Sequence, residues 1–416
     1  MDAAHRRSAL PDKFIPEVDR LLVRYGLPAT IASEHRPARN AWNQEEIESG
    51  LNRIYRVILR RDTDIPQDLI EQIRLIPDVE RVRIAESASF EIAATLPHVV
   101  QMGQNTDIAS RKAIYLPEAH LLTRGDAEIR IAILDTGIDT NHPELTQVLD
   151  PGYDFVNIID GADNFVGDFL GADPDPLDDV GHGTHVAGII GAQGKEVPTG
   201  VAPRCRILPV RVLAAMKQGG RRIGAGLVDN IDAGVKWAVD QGADVINMSL
   251  GVRQSEGGLP HQEVIDYAYR RGVTVVAASG NDGTNESYYP GAFQSVITVG
   301  AWDGNRSEVA PFSTWGRQVS FVAPGTEIYS THIDGGYAFS SGTSHAAPFV
   351  TGAVALLKSF AKALGYRLSD SQVKHVLKHT SDKTGTVFKD MHSGYGIVNI
   401  QDALKFTRYK LMNQGS

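Results

Sequence analysis

Cysteine is almost missing from this chain: Cys205 is the only one in 416 residues. No intramolecular disulfide can form, which excludes a small scaffold stapled by crosslinks. A chain of this length can bury enough core without them, so export is not excluded on that ground. Cys205 precedes the apolar run Ile207-Leu208-Pro209-Val210, so a buried thiol is expected. Long hydrophobic runs are missing too, and Met1–Arg7 leads into no apolar segment of the kind that signals secretion. The reading is a cytoplasmic protein with no membrane partner; secretion is the alternative. Basic excess is also lacking. Fifty acidic against 41 basic residues give a formal charge of -9, which disfavours nonspecific binding to nucleic acid. There is no sequence repeat and no low-complexity tract.

What remains is an ordinary globular composition, 42% hydrophobic and 22% charged, long enough for one large domain and a smaller one. Residues 1–104 form the smaller unit, an α+β module. Phe14, Val18, Leu21, Leu22 and Tyr25 recur at helical spacing. Tyr55, Val57 and Leu59 alternate with Arg56, Ile58 and Arg60, as a half-buried strand does. Asp64 is placed to cap a helix with Pro66 in its first turn and Leu69, Ile70, Ile73 and Ile76 on one face. Val82 and Ile84, alternating with Arg81 and Arg83, complete a β-α-β reading.

Residues 105–416 read as an α/β domain with a parallel sheet flanked by helices. Strands are expected at 129–134, 206–210, 245–248, 273–278 and 296–300, with helices at 225–240 and 262–270. Val273-Thr274-Val275-Val276-Ala277-Ala278 has the continuous apolar character of a buried parallel strand.

In such sheets the working residues gather at the carboxyl ends of the strands. Three polar blocks fall there. Ile131-Ala132-Ile133-Leu134-Asp135-Thr136-Gly137 is a strand ending in a carboxylate; Gly181-His182-Gly183-Thr184-His185 and Ser341-Gly342-Thr343-Ser344-His345 are turns opening helices. Taken singly, Asp135 could be a turn residue, His182 a packing or metal residue, and Ser344 an N-cap. Taken together they make a nucleophile, a base and an orienting acid. Ser344 needs a base to remove its proton, His182 is the candidate, and Asp135 would fix the imidazole tautomer. The unpaired N–H of Ser344 in the first helical turn could stabilise an oxyanion, and Pro348 is tolerated in or near that turn.

These blocks, in the order Asp, His, Ser, resemble the signatures of the subtilisin-like serine peptidases. The likeness extends through Asn247-Met248-Ser249-Leu250-Gly251, Ala278-Ser279-Gly280-Asn281, Phe312-Ser313, Ala323-Pro324-Gly325 and Gly394-Tyr395-Gly396. It implies a serine endopeptidase acting on polypeptides, with Asp135, His182 and Ser344 as catalytic triad and Asn281 as oxyanion-hole donor. It further implies that Ser249, Leu250 and Gly251 bind the substrate backbone as an added strand. Ser279, Gly280 and Tyr288 would belong to the substrate pocket. Tyr288 could fill that pocket and favour small side chains, or Asp282 and Glu286 could draw a basic one. Val252 replaces a common second glycine. His345 stands where a methionine is common and Phe349 where a histidine is common; His185 and His345 are read as packing residues.

The resemblance implies no cofactor for the chemistry, although family members often bind structural calcium. One frequent calcium loop is short here, between Gly188 and Gly200, which argues against that site. The acidic stretch 173–179 is either a cation site or a solvated loop. The amino-terminal module resembles a prodomain that templates folding and then inhibits, with cleavage expected between Leu96 and Arg111. A retained accessory domain is the other reading. The competing activity is transpeptidation or macrocyclisation on the same fold, which would need an inserted shield over the acyl-enzyme; only the acidic loop between Asp135 and His182 is long enough to be considered.

Overall fold

The computed structural model describes residues 14–61, 63–84, 87–89, 98–99, 107–158, 164–218, 221–253 and 259–413. The expected parallel sheet is at its centre. Strands run in the order Tyr153–Asp154, Arg206–Arg211, Arg130–Asp135, Val245–Met248, Thr274–Ala278 and Ile297–Asp303, and Phe321–Pro324 also pairs in parallel with the last of these. Glu308–Val309 adds a short antiparallel edge.

From Arg130–Asp135 the chain passes to a neighbour on one side, Arg206–Arg211, and then to one on the other, Val245–Met248. Right-handed crossovers therefore deliver the intervening helices to opposite faces. His182–Gly191 and Thr343–Ala363 cover one face; Val228–Asp240 and Gln262–Arg270 cover the other. Strand alternation divides the side chains accordingly, Ile131 and Ile133 entering the first core and Ala132 and Leu134 the second. The change of direction beside Arg130–Asp135 leaves a crevice at the carboxyl edge.

The helix expected at 225–240 begins only at Val228; Arg221–Leu227 is a strand paired antiparallel with Ala214–Gln218. Two glycines explain the change. A Cβ at Gly224 would lie 2.6 Å from a Thr136 methyl, and one at Gly226 would lie 2.4 Å from the Val212 carbonyl oxygen. Bare backbone is what lets this strand lie against the sheet end.

The described part of the amino-terminal module packs around Val18, Leu22, Leu27, Leu69, Ile73 and Ile76. Its β-α-β reading is corrected. Tyr55–Leu59 pairs antiparallel with Ala29–Ser33, and 81–84 forms no strand. Arg81 instead reaches Glu263, while Arg83 approaches Asp229 and Asp232, so that stretch is held by charge against the helices Gln262–Arg270 and Val228–Asp240. Helix Gln67–Arg74 has Pro66 at its N-cap and no side-chain cap bond, so Asp64 does not cap it. Cys205 is buried as expected, which raises its thiol above the ordinary value, with Ser359 Oγ 3.5 Å from its sulfur. Among the described residues no helix is long and apolar enough to cross a membrane.

Candidate active site

Asp135 ends its strand fully buried. Its Oδ1 accepts from the Thr136 N–H at 2.8 Å and lies 2.6 Å from His182 Nδ1. A carboxylate can only accept here, so Nδ1 carries the proton and Nε2 is left as the basic nitrogen. Two glycines make the approach feasible. Gly181 has φ 99°, and a Cβ on Gly183 would fall 2.1 Å from the Gly137 carbonyl oxygen. Burial disfavours the charged imidazole, but the Asp135 carboxylate and its hydrogen bond, helped by Asp178, hold His182 above the usual imidazole value.

Asp178 was not singled out in the sequence. It is buried, and its Oδ1 accepts from Thr136 Oγ1 (2.8 Å), Val180 N (2.9 Å) and Gly181 N (2.8 Å). Its Oδ2 accepts from Thr184 N (3.0 Å) and Thr184 Oγ1 (2.7 Å). The Thr136 hydroxyl in turn accepts from Gly183 N at 3.0 Å. One carboxylate therefore fixes the turn before His182, the start of its helix and the residue after Asp135. An acidic residue just ahead of a helix start was the available signal.

Ser344 is the second residue of the helix Thr343–Ala363, entered through Gly342 at φ 154°. Pro348, the sixth residue of this helix, lies just past its first turn, within what the sequence reading allows. A residue with an N–H at 348 would bond back to the Ser344 carbonyl. That oxygen accepts instead from Ser249 Oγ at 2.8 Å. The residue after Ser344, His345, brings its ring centroid to 5.3 Å from that of His182. Among the described residues His182 Nε2 has no hydrogen-bond partner, so no bond to the Ser344 hydroxyl is closed in this geometry.

Asn281 follows Gly280 (φ 110°) just beyond the strand Thr274–Ala278. Its Oδ1 accepts from Thr343 N at 2.8 Å and Thr343 Oγ1 at 3.0 Å. That fixes the amide and leaves Nδ2 as its donor. Ser249 and Leu250 are buried at the end of their strand, and Ser279 is buried at the end of the next. Gly251 and Gly280 face each other across the Tyr288 side chain: a Cβ on either would come within 2.9 Å of Tyr288 atoms.

His345 and His185 pack edge to face with centroids 4.5 Å apart. His185 Nε2 lies 3.1 Å from the carbonyls of Ile328 and Ala338 and so donates to them. Burial, then repulsion from His182, pushes His185 down to about 3; burial and both other histidines push His345 well below the usual value. Both rings are neutral and serve packing.

The residues expected near calcium do not suit a cation. The short loop is instead held from outside by Glu144, which is fully buried and accepts from Gly194 N (2.8 Å), Lys195 N (2.7 Å) and Glu196 N (2.6 Å). Its lone pairs point at donors. In the acidic stretch Asp178 is filled as described, Asp173 Oδ1 accepts from Asp175 N at 2.8 Å, and Asp179 lies 3.1 Å from the buried guanidinium of Arg211. Arg211 also binds Asp154, whose carboxyl burial pushes up to about 7 against the pull of Arg211. Among the described residues no group of three or more His, Cys, Asp or Glu is arranged to hold a metal ion.

Comparison with known proteins agrees with the geometry. The subtilase family matches residues 126–396. The chain is 38% identical over 297 residues to the thermophilic serine proteinase of Bacillus sp. (strain AK1), which spans 70% of this chain and 65% of that protein. It is 37% identical over 298 residues to thermitase of Thermoactinomyces vulgaris, covering 70% of this chain and 94% of that one. Identity to the alkaline protease of Alkalihalobacillus alcalophilus is 30% over 401 residues, covering 92% of this chain and 97% of that protein, so this match also takes in much of the amino-terminal module. With a family match across most of its length and three signature blocks meeting at one sheet edge, the chain belongs to the subtilase family.

Proposed function

We propose that this subtilisin-type serine endopeptidase hydrolyses polypeptides through an acyl-enzyme on Ser344. His182 Nε2 takes the hydroxyl proton as oxygen attacks the scissile carbonyl, then returns it to the departing amine. Asp135 holds the ring and stabilises the imidazolium. Asn281 Nδ2 and the Ser344 N–H donate to the oxyanion. Water then repeats the sequence to release the acid, and no cofactor is needed. The observation that carries this reading is the 2.6 Å contact of His182 with Asp135, which leaves Nε2 free beside the start of the Ser344 helix. Digestion of a peptide library tests it: the wild type cuts, and Ser344→Ala does not. Asn281→Ala should lower kcat by about 10²–10³, the effect of removing such a donor in a subtilisin.

The amino-terminal module is proposed to inhibit the enzyme it precedes. Ser87–Ser89 pairs antiparallel with Ala225, Gly226 and Leu227 beside the crevice, in the manner of a bound peptide strand. The module also grips the two helices on that face. Buried Glu46 meets Lys236 at 2.7 Å, Glu48 meets Arg270, and Arg56 meets Asp229 at 3.3 Å. Wild type and Ser344→Ala, expressed in parallel, should differ in mass if the module is removed by self-processing; equal masses would rule that out.

A further inference from the structure

The gap beside the nucleophile is already filled from within. Ser249, bonded to the Ser344 carbonyl, begins one wall, and Asn281 ends the other. By the resemblance, a substrate carbonyl held between Ser344 and Asn281 would send the side chain before the scissile bond between those walls, past Gly251 and Gly280. The Tyr288 ring occupies that space. A Cβ on Gly251 would meet Tyr288 Cβ at 2.9 Å and Cδ1 at 3.6 Å, while one on Gly280 would meet Cδ2 at 2.8 Å and Cε2 at 2.9 Å. The two edges of one ring therefore touch both walls at their glycines.

The ring is fixed at both ends. Its backbone pairs with Arg253 in an antiparallel register, with Tyr289 opposite Val252. Its hydroxyl accepts from Arg253 Nε at 2.9 Å and donates to Asp282. The same guanidinium reaches Asp282 at 2.7 Å and Glu286 at 2.9 Å, and its central carbon lies 5.5 Å from the ring centroid. Burial and Asp282 push the phenol up to about 12, so it remains a donor across the working range. The two carboxylates that could have drawn a basic side chain are thus committed to Arg253. Arg253 offsets one of their two charges, so of the two specificities open in the sequence one is weakened and the other gains its steric cause.

We propose that Tyr288 is the floor of the primary specificity pocket, clamped by Arg253 and Asp282, and that the enzyme cleaves after alanine, glycine or serine in preference to aromatic, long aliphatic or basic residues. This rests on the hydrolytic reading above. The test is kcat/KM on four peptides identical except for Ala, Leu, Phe or Lys before the cut, for wild type, Tyr288→Gly and Arg253→Ala. Wild type should favour Ala over Phe and Lys by roughly tenfold or more, the scale on which a closed pocket rejects added bulk. Tyr288→Gly should raise the Phe-to-Ala ratio by about tenfold or more, and Arg253→Ala should raise the Lys-to-Ala ratio by freeing Asp282 and Glu286. Wild-type preference for Phe, Leu or Lys overturns the proposal, as does an unchanged Phe-to-Ala ratio in a folded Tyr288→Gly. If that variant does not fold, the wild-type series decides. Labelling of Ser344 by a small alkyl fluorophosphonate separates the two claims: labelled enzyme with the wrong preference sinks the pocket, whereas unlabelled, inactive enzyme sinks the hydrolytic reading.

Discussion

The Ser249 hydroxyl donates to the carbonyl oxygen of Ser344 at 2.8 Å, taking the place of the helical N–H that Pro348 lacks. The bond has its own support. Thr351 Oγ1 donates to Asn247 Oδ1 at 2.7 Å, and Asn247 Nδ2 donates to Ser249 Oγ at 2.9 Å. A buried chain of three hydrogen bonds thus links the third turn of the nucleophile's helix to the strand on which substrate would lie. Ser249→Ala leaves the Ser344 carbonyl buried without a donor, a penalty of about 1–3 kcal/mol. The expected result is a lower denaturant midpoint together with a lower kcat, because the freed backbone carries Ser344. A stability loss with kcat unchanged would show that the bond holds the fold and not the nucleophile.

Asp178 should reveal itself in the pH profile. The base works only when neutral, so activity falls as pH drops through the His182 value, which lies above that of a free imidazole. Asp178 is one of the charges raising it. Asp178→Asn removes that charge and places an amide among five donors. The acid limb of kcat/KM should move to lower pH while kcat falls. A drop in rate with the limb unmoved would assign Asp178 a purely mechanical role.

The catalytic blocks were readable because each is contiguous: a strand ending in Asp-Thr-Gly, or a turn giving Gly-Thr-Ser, carries its chemistry within a few residues. What could not be read depends on distant partners. Glu144 finds its donors some fifty residues on, at Gly194, Lys195 and Glu196. Tyr55–Leu59 had a clear strand pattern, but alternation does not name the neighbour, and Ala29–Ser33 took that place. The stretch 173–179 read as a solvated or cation-binding loop because Arg211, which claims Asp154 and Asp179, lies on a separate strand. The pocket was ambiguous for the same reason, since the partner of Asp282 and Glu286 is Arg253.

Glu144 leads to a stability prediction. A cation that binds only the folded state raises its stability with concentration. Here the buried carboxylate already has three N–H donors, and charged hydrogen bonds of this kind are worth about 1.5–3 kcal/mol each. The thermal midpoint should be the same in millimolar calcium and in EDTA, whereas Glu144→Ala should lower it under both conditions. A midpoint that climbs with calcium would mean that a site exists elsewhere in the chain.

His345 ties oxidation to acid stability. The relatives' methionine beside the nucleophile carries a thioether that peroxide converts to a polar sulfoxide; a neutral imidazole does not react in that way. Wild type should therefore lose activity slowly in peroxide, and His345→Met should lose it faster. The same residue has a cost at low pH. His345 is buried, and its value in the folded protein lies well below the 6.5 of a free imidazole. Its share of stability is therefore full above about pH 6.5 and declines as pH falls, because the unfolded chain then binds a proton that the folded one refuses. Each pH unit below 6.5 costs up to about 1.4 kcal/mol for this one ring. His345→Met removes that dependence, so its stability relative to wild type should improve between pH 8 and pH 5. Urea midpoints at the two pH values test the point. If the two proteins lose stability in parallel, the ring at 345 is charged or exposed when folded, and its packing against His182 and His185 is not as described.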